Sequence, residues 1–320
     1  MKPPRASLPA GTAAYVFEEA TRRRSAEERI VEGLRKNGYR EAIVPSADYL
    51  APYAQHLATR EERELYRFVD RHGDTIALRA DFTIAIARHL APRLASGSEP
   101  TRLFYRGEVL RGGGRDGANA EFYQVGAELV GAAGPEADRE IVERCLDSLD
   151  AAEAGRVWVV LSSVGALETI LGPRSDPGGG PCGPPSPQVE SERRLLAGRV
   201  RDRRLSALRD VAPEMRDRLS RLIEGGIEPD DPILGSLAAS GASLAVVARA
   251  LSGRKRCEVS IDLAEAPSRS YYTGFFFSVF GEEGGEPIAG GGRYDDLYAG
   301  FGGARPAVGF SLGLEALVRS

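Results

Sequence analysis

The chain has 320 residues, 28% of them charged and 42% hydrophobic, with a formal net charge of −4, three cysteines and three histidines. That balance excludes a disordered polyelectrolyte. No apolar run is read as approaching the roughly 20 residues that span a bilayer, so a soluble globular protein of one large or two ordinary domains is expected.

The opening segment MKPPRASLPAGTAAY lacks the positive-then-apolar order of a signal peptide, which predicts a cytoplasmic protein. Cys145, Cys182 and Cys257 are far apart and odd in number, as suits reduced thiols. They form no CxxC pair, and His56, His72 and His89 show no ligand spacing, so neither a metal nor a cofactor is expected. The slightly acidic balance makes no case for nucleic acid as a partner.

In chain order, Ala26, Ile30 and Leu34 recur every four residues in a charged stretch, predicting an amphipathic helix over Val16–Leu34 that stops at Asn37-Gly38. Glu41 to Pro45 reads as a short strand and Ala47 to Leu57 as a helix. Leu65–Val69 and Thr75–Leu78 flank Asp70-Arg71-His72-Gly73-Asp74 as a hairpin. Asp81 or Thr83 can cap the helix that follows, since either side chain accepts a hydrogen bond from a free N–H of the first turn. Arg102–Leu110 and Glu121–Val130 read as a second hairpin, joined by a glycine-rich connection, and Pro135–Leu149 as a helix. Val157–Leu161 reads as a strand and Val164–Leu171 as a helix.

From Gly172 to Gln188, 11 of 17 residues are Gly or Pro, too many for a regular element. Helices are expected over Glu190–Ile223 and Leu234–Leu251, then strands at Glu258–Leu263, Tyr271–Phe280 and Pro287–Ala289, and closing helices at Arg293–Tyr298 and Gly313–Arg319. Strands in hairpins, with helices in separate stretches, predict an α+β fold with a mainly antiparallel sheet. The expected division is a core of residues 1–171 and 254–320, a Gly/Pro-rich loop over 172–189 and a helical insertion over 190–253.

Two GxGxxG matches, at Gly112–Gly117 and Gly178–Gly183, lack the strand–turn–helix setting of a dinucleotide site and read as loops. The Arg-rich stretch from Arg193 to Arg221 alternates with acidic residues and reads as a solvated face. More informative are Arg106 and Glu108 on one expected strand with Gln124, Gly126 and Glu128 on the next, read as one polar face. Phe122, Tyr123 and Val125 beside them suggest partial enclosure, where charges need a partner or a ligand.

These motifs, in this order, resemble the catalytic core of histidyl-tRNA synthetase, a class II synthetase. Leu78–Thr83 is similar to its LRPEGT segment, Phe104–Glu108 to motif 2 (FRxE), Phe122–Glu128 to FHQLGVE, Gly290–Asp295 to GGRYD and Val308–Leu317 to motif 3. Gly38 to Pro45 resembles motif 1, which in class II enzymes forms the dimer interface. Two departures stand out. Aligned on Tyr271-Tyr272, the arginine of the family's RGLDYY segment is Pro267 here, and the arginine of motif 3 GLERL is Ala316. Because the sequence runs only a few residues past motif 3, an anticodon-binding domain is not expected.

A synthetase-like core with these changes resembles the regulatory-subunit family of ATP phosphoribosyltransferase. That resemblance implies a protein with no aminoacylation activity, a short-form catalytic subunit as partner, L-histidine as feedback effector, and a homodimer within a hetero-oligomer. By carry-over, Asp81 and Thr83 hold the histidine ammonium, Arg106 the carboxylate, Gln124 and Glu128 the amino-acid and imidazole contacts, and Tyr271 and Tyr272 wall the ring. The alternative is a minimal histidyl-tRNA synthetase without the anticodon domain.

Overall fold

The computed structural model describes residues 8–9, 11–94, 97, 99–112, 121–171, 200, 216–217, 219–220, 222 and 226–317, apart from the side chain of residue 60. The expected loop over 172–189, most of the expected helix over 190–223, the second glycine motif and most of the first lie outside the described residues.

The first helix, α1 (Phe17–Lys36), has Glu18 and Glu19 in its first turn and Arg35 and Lys36 in its last, both favourable to the helix dipole. It ends at Asn37 with Gly38 at φ +82°, a conformation that favours glycine. A small antiparallel sheet follows, with strand order β2 (Ala47–Tyr49), β4 (Thr75–Leu78), β3 (Arg67–Val69). The helix expected over Ala47–Leu57 is therefore a strand followed by a short helix, α2 (Leu50–Ala54). Cross-strand pairing of Ala47, Asp48 and Tyr49 with Leu78, Ala77 and Ile76 overrides local helix preference. Helices α3 (Thr59–Arg63) and α4 (Phe82–Leu94) flank the expected hairpin.

Among the described residues, an eight-stranded sheet runs β1 (Arg40–Glu41), β5 (Thr101–Leu110), β6 (Glu121–Val130), β11 (Ala307–Gly313), β10 (Ala289–Arg293), β9 (Phe275–Gly281), β7 (Val157–Ser163), β8 (Cys257–Ile261). Its pairs are antiparallel except β1/β5 and β7/β8. The α+β expectation holds. One sheet face is covered by α1, α5 (Pro135–Ala151), α6 (Ala166–Leu171) and α7 (Ala238–Leu251), which join Phe104, Val125, Ala127 and Leu129 in the main hydrophobic core. The other face carries α4, whose Phe82 and Ile86 pack on Leu103, Tyr105 and Val109.

Three expectations change in the C-terminal third. Strand β9 begins only at Phe275, leaving Tyr271 and Tyr272 ahead of it. The helix expected at Arg293–Tyr298 is absent: Arg293 closes β10, and Tyr294 N–H donates to the Ala307 carbonyl at 2.8 Å. Strand β11, not anticipated, lies in the middle of the sheet, where burial on both faces removes the alternating pattern. Gly291 and Gly292 give the close strand approach read from the glycine run: a Cβ on Gly292 would stand 2.8 Å from Phe276 Cβ. The last described residues form the short helix α8 (Leu314–Leu317), within the helix expected over Gly313–Arg319.

Residues 232–251 do form an apolar stretch of 20 residues, long enough by composition to cross a membrane, which corrects the reading of the sequence. It is a 3-10 turn (Pro232–Leu237) followed by α7, and Leu234, Leu237, Leu244, Val247 and Leu251 are buried in the core of the large sheet. These residues therefore act as a core segment, and the C-terminal part of the expected insertion shares the core of the sheet.

Candidate functional site

Strands β5 and β6 pair along their whole length, from Thr101 opposite Val130 to Leu110 opposite Glu121. Residues directly opposite one another project to the same face. Tyr105, Gly107 and Val109 thus share a face with Gly126, Gln124 and Phe122, while Arg106 and Glu108 share the other with Val125 and Tyr123. The single polar face read from the sequence does not exist. Arg106 turns to α1, with Nη1 2.9 Å from Glu27 Oε1 and Nε 2.9 Å from Glu41 Oε1. It does not line the cavity described next.

That cavity, of about 920 Å³, opens on the Tyr105 face and is lined by Asp81, Thr83, Gln124, Tyr271 and Tyr272 among others. Glu128 lies behind Thr83, whose Oγ1 donates to Glu128 Oε1 at 2.8 Å. The structure therefore gathers six of the seven expected residues, and Arg106 is the exception. Asp81 is fixed at the start of α4, where its Oδ1 accepts from Ile84 N–H at 3.2 Å, so the expected cap is Asp81. Its Oδ2 accepts from Tyr271 Oη at 3.1 Å.

Glycines shape the closed end. Gly126, opposite Tyr105, leaves room for that ring to stack on Phe82 with centroids 4.4 Å apart. A Cβ on Gly309 would stand 2.5 Å from Tyr294 Oη and would overlap the Glu128 carboxylate. Burial first, and then the charge of Asp81, push the Glu128 carboxyl well above its ordinary range, against the lowering effect of the Thr83 hydrogen bond. Glu128 Oε2 and the hydroxyls of Tyr294 and Tyr298 are buried without a hydrogen-bond partner.

Two cations escaped the reading of the sequence. Arg269 enters the cavity two residues before Tyr271, with Nε 3.3 Å from Asp81 Oδ2. Burial lowers its pKa, but Asp81 and the neighbouring tyrosines outweigh that and raise it. Arg111 follows β5 and donates from Nε to the Ala80 carbonyl at 3.0 Å, while its Nη2 is buried with no hydrogen-bond partner. Burial, reinforced by the charge of Arg269, pushes the Arg111 guanidinium down to about 10. Arg111 was findable, because it continues the alternation Tyr105, Gly107, Val109; Arg269 stands two residues after Pro267, the position at which the resemblance places the family's arginine.

The rest of the lining is different. It includes Ser278, Gly290, Ser311 and Gly313, the last directly across from Gln124, with Ala316 at the motif 3 position and the exposed Glu282, Glu283 and Glu286. Among the described lining residues the only Lys or Arg side chains are Arg111 and Arg269. No group of three or more metal-ligating side chains gathers among the described residues.

A mixed sheet with this motif order around one pocket defines a class II synthetase-like protein, and a family profile described as histidyl-tRNA synthetase matches residues 11–177 and 190–317. The apo histidyl-tRNA synthetase of S. aureus shares the fold, with a TM-score of 0.62 at 19% identity over 98% of this chain and 72% of its own. Within that class, the chain belongs to the family of ATP phosphoribosyltransferase regulatory subunits. The regulatory subunit of Moorella thermoacetica is 34% identical over 97% of this chain and 81% of its own length. That of Burkholderia thailandensis is 30% identical over 98% and 81%. A solved structure described as an ATP phosphoribosyltransferase regulatory subunit/histidyl-tRNA synthetase from Bacillus halodurans C superposes with a TM-score of 0.80, at 25% identity over 99% of this chain and 83% of that one. The curated relatives are named as a regulatory subunit, not as a catalytic enzyme.

Proposed function

We propose that this chain regulates a short-form ATP phosphoribosyltransferase catalytic subunit in the cytoplasm, is required for that subunit's activity, and carries histidine feedback by binding L-histidine in the cavity. The observation that carries this reading is a contrast within the cavity lining. Asp81 and Thr83 offer oxygens to an ammonium group, and Arg111 keeps a buried N–H free for a carboxylate. Behind them Glu128 and the Tyr294 and Tyr298 hydroxyls offer unpaired polar atoms to a small ring with one donor and one acceptor, which describes a neutral imidazole. Gln124, Tyr271 and Tyr272 complete the walls. Arg111 thus takes the carboxylate role first expected of Arg106.

At the motif 3 position Ala316 supplies no cation for a transferring nucleotidyl group. Such a cation is worth roughly 10³-fold or more in rate. Amino-acid recognition without adenylation fits a sensor. Calorimetric titration with L-histidine tests the pocket: Arg111→Met should weaken binding about 10- to 100-fold, as expected for a lost charged hydrogen bond. Unchanged affinity removes Arg111 from the site. Mixing the chain with a short-form catalytic subunit should give a complex whose turnover falls when histidine is added. Histidine-dependent pyrophosphate exchange with ATP by this chain alone would overturn the reading.

A further inference from the structure

Both oxygens of Asp81, the carboxylate assigned above to an ammonium group, are engaged within the chain. Oδ1 accepts from Ile84 N–H at 3.2 Å; Oδ2 accepts from Tyr271 Oη at 3.1 Å and has Arg269 Nε 3.3 Å away. A ligand ammonium must therefore compete with a guanidinium for one carboxylate. Arg269 also lies close to a second carboxylate, that of Glu61 on α3. Glu61 is held by its Oε2, which accepts from Ala58 N–H at 2.9 Å and from the Ser270 hydroxyl. Its Oε1 is buried with no hydrogen-bond partner and stands 3.9 Å from Arg269 Nη1. A shift of roughly 1 Å closes that gap to an ordinary hydrogen bond.

We infer that Arg269 occupies the ammonium seat at Asp81 and passes to Glu61 when a ligand ammonium replaces it, so that Arg269 sets the affinity of the cavity for amines. The inference rests on the reading of the cavity as a histidine site and gives that site its means of selection. Charge pairing supports it. With Arg269 on Asp81, Glu61 Oε1 and Arg111 Nη2 are both buried without a hydrogen-bond partner. After the exchange the ligand ammonium meets Asp81, Arg269 meets Glu61 and the ligand carboxylate meets Arg111. Every buried charge then has an opposite partner of its own, the condition under which buried charge is tolerated.

The chain around Arg269 is tied to α3 at the point of exchange. The Ser270 hydroxyl donates to Glu61 and accepts from Ala58 N–H at 3.1 Å, so the guanidinium can move between carboxylates while its own backbone stays anchored. Shortly after α3, Leu65 bridges to Arg111, so one stretch of chain is linked to both cations of the cavity. Selection follows from the exchange. A ligand with a carboxylate but no amine reaches Arg111 and leaves Arg269 on Asp81, whereas an amine must displace Arg269 to bind.

Calorimetry on the full chain with three ligands tests it: L-histidine, histamine, which lacks the carboxylate, and imidazolepropionate, which lacks the amine. Arg269→Gln removes the competitor, so histidine and histamine should bind about tenfold tighter while imidazolepropionate does not tighten. Glu61→Gln removes the alternative seat but keeps an oxygen for Ala58 and Ser270, so it serves even if Arg269→Gln fails to fold. It should weaken histidine and histamine about tenfold and leave imidazolepropionate within about twofold. In the Arg269→Gln background the same substitution should have no further effect, whereas a merely structural Glu61 would weaken binding in both. Histidine binding that Arg269→Gln weakens or leaves unchanged, or a Glu61→Gln loss equal for all three ligands, overturns the inference and leaves the histidine site standing on its response to Arg111→Met. A wild type that binds no histidine, with no binding gained in Arg269→Gln, overturns both.

Discussion

Glu128 is fully buried, and no cation contributes to its titration, which gives the position a pH signature. Its carboxyl holds a proton in the native state to well above the ordinary 4.5, whereas in the unfolded chain it releases the proton there. Between those limits the native state binds more protons than the unfolded one, so stability is greatest below 4.5 and falls as pH rises, by up to about 1.4 kcal/mol per pH unit. Glu128→Gln removes that slope. Urea unfolding from pH 4.5 to pH 8 should show the substituted chain gaining on the wild type at the alkaline end, and parallel profiles would contradict the assignment. The Arg111 side chain admits a sharper test, because histidinol keeps the ring and the ammonium group but lacks a carboxylate. Arg111→Met should weaken histidine binding and leave histidinol binding within about twofold, since the charged hydrogen bond lost is made only to the carboxylate. Residues such as Asp81, Thr83, Gln124 and Glu128 were legible because each belongs to a short run with its own chemistry, read without knowing the partner strand.

Elements divide along the same line. The β5–β6 hairpin was legible from its alternating composition, but its register was not, and a one-residue shift moves every side chain to the other face. Arg106, expected in the site by carry-over, instead shares a face with Val125 and turns to α1, while Arg111 lines the cavity. Strand β11 was missed for a related reason, because a strand buried on both faces shows no period of two. Besides the shared hydrophobic core, a buried polar junction ties these central strands to the helices. Arg293 at the end of β10 lies 2.6 Å from Asp138 of α5, and Ser243 of α7 donates to the same carboxylate. Burial pushes the Asp138 carboxyl up, and Arg293 only partly offsets it. Replacing Arg293 by Met leaves that carboxylate buried without its cation, a change expected to cost about 3–5 kcal/mol in urea unfolding. Asp138→Asn with Arg293→Met should recover part of the loss, because the uncompensated charge goes with it. A double variant as unstable as the single one would show that packing of the arginine stem, not charge, dominates.

At the scale of the whole molecule, the small sheet and the cavity touch. A Cβ on Gly112, which lines the cavity, would stand 3.7 Å from the ring of Tyr66, the residue that precedes β3. Leu65 also bridges to Arg111, so the small sheet is joined to the residue proposed to hold the carboxylate. If histidine in this cavity regulates a catalytic subunit, ligand and assembly are linked, and linkage is reciprocal: whatever factor the catalytic subunit contributes to histidine affinity, histidine must contribute to assembly. A ligand with equal affinity for both states shifts nothing. Calorimetry with L-histidine on the chain alone and on its complex with a short-form catalytic subunit yields the affinity ratio, and titration of the two chains with and without saturating histidine yields the shift in the dissociation constant of the complex. For each pocket filled the two factors should agree, and a factor of about 10- to 100-fold lies within the usual range of coupling free energies. Equal affinities together with an unmoved dissociation constant would require feedback to reach the catalytic subunit by another route.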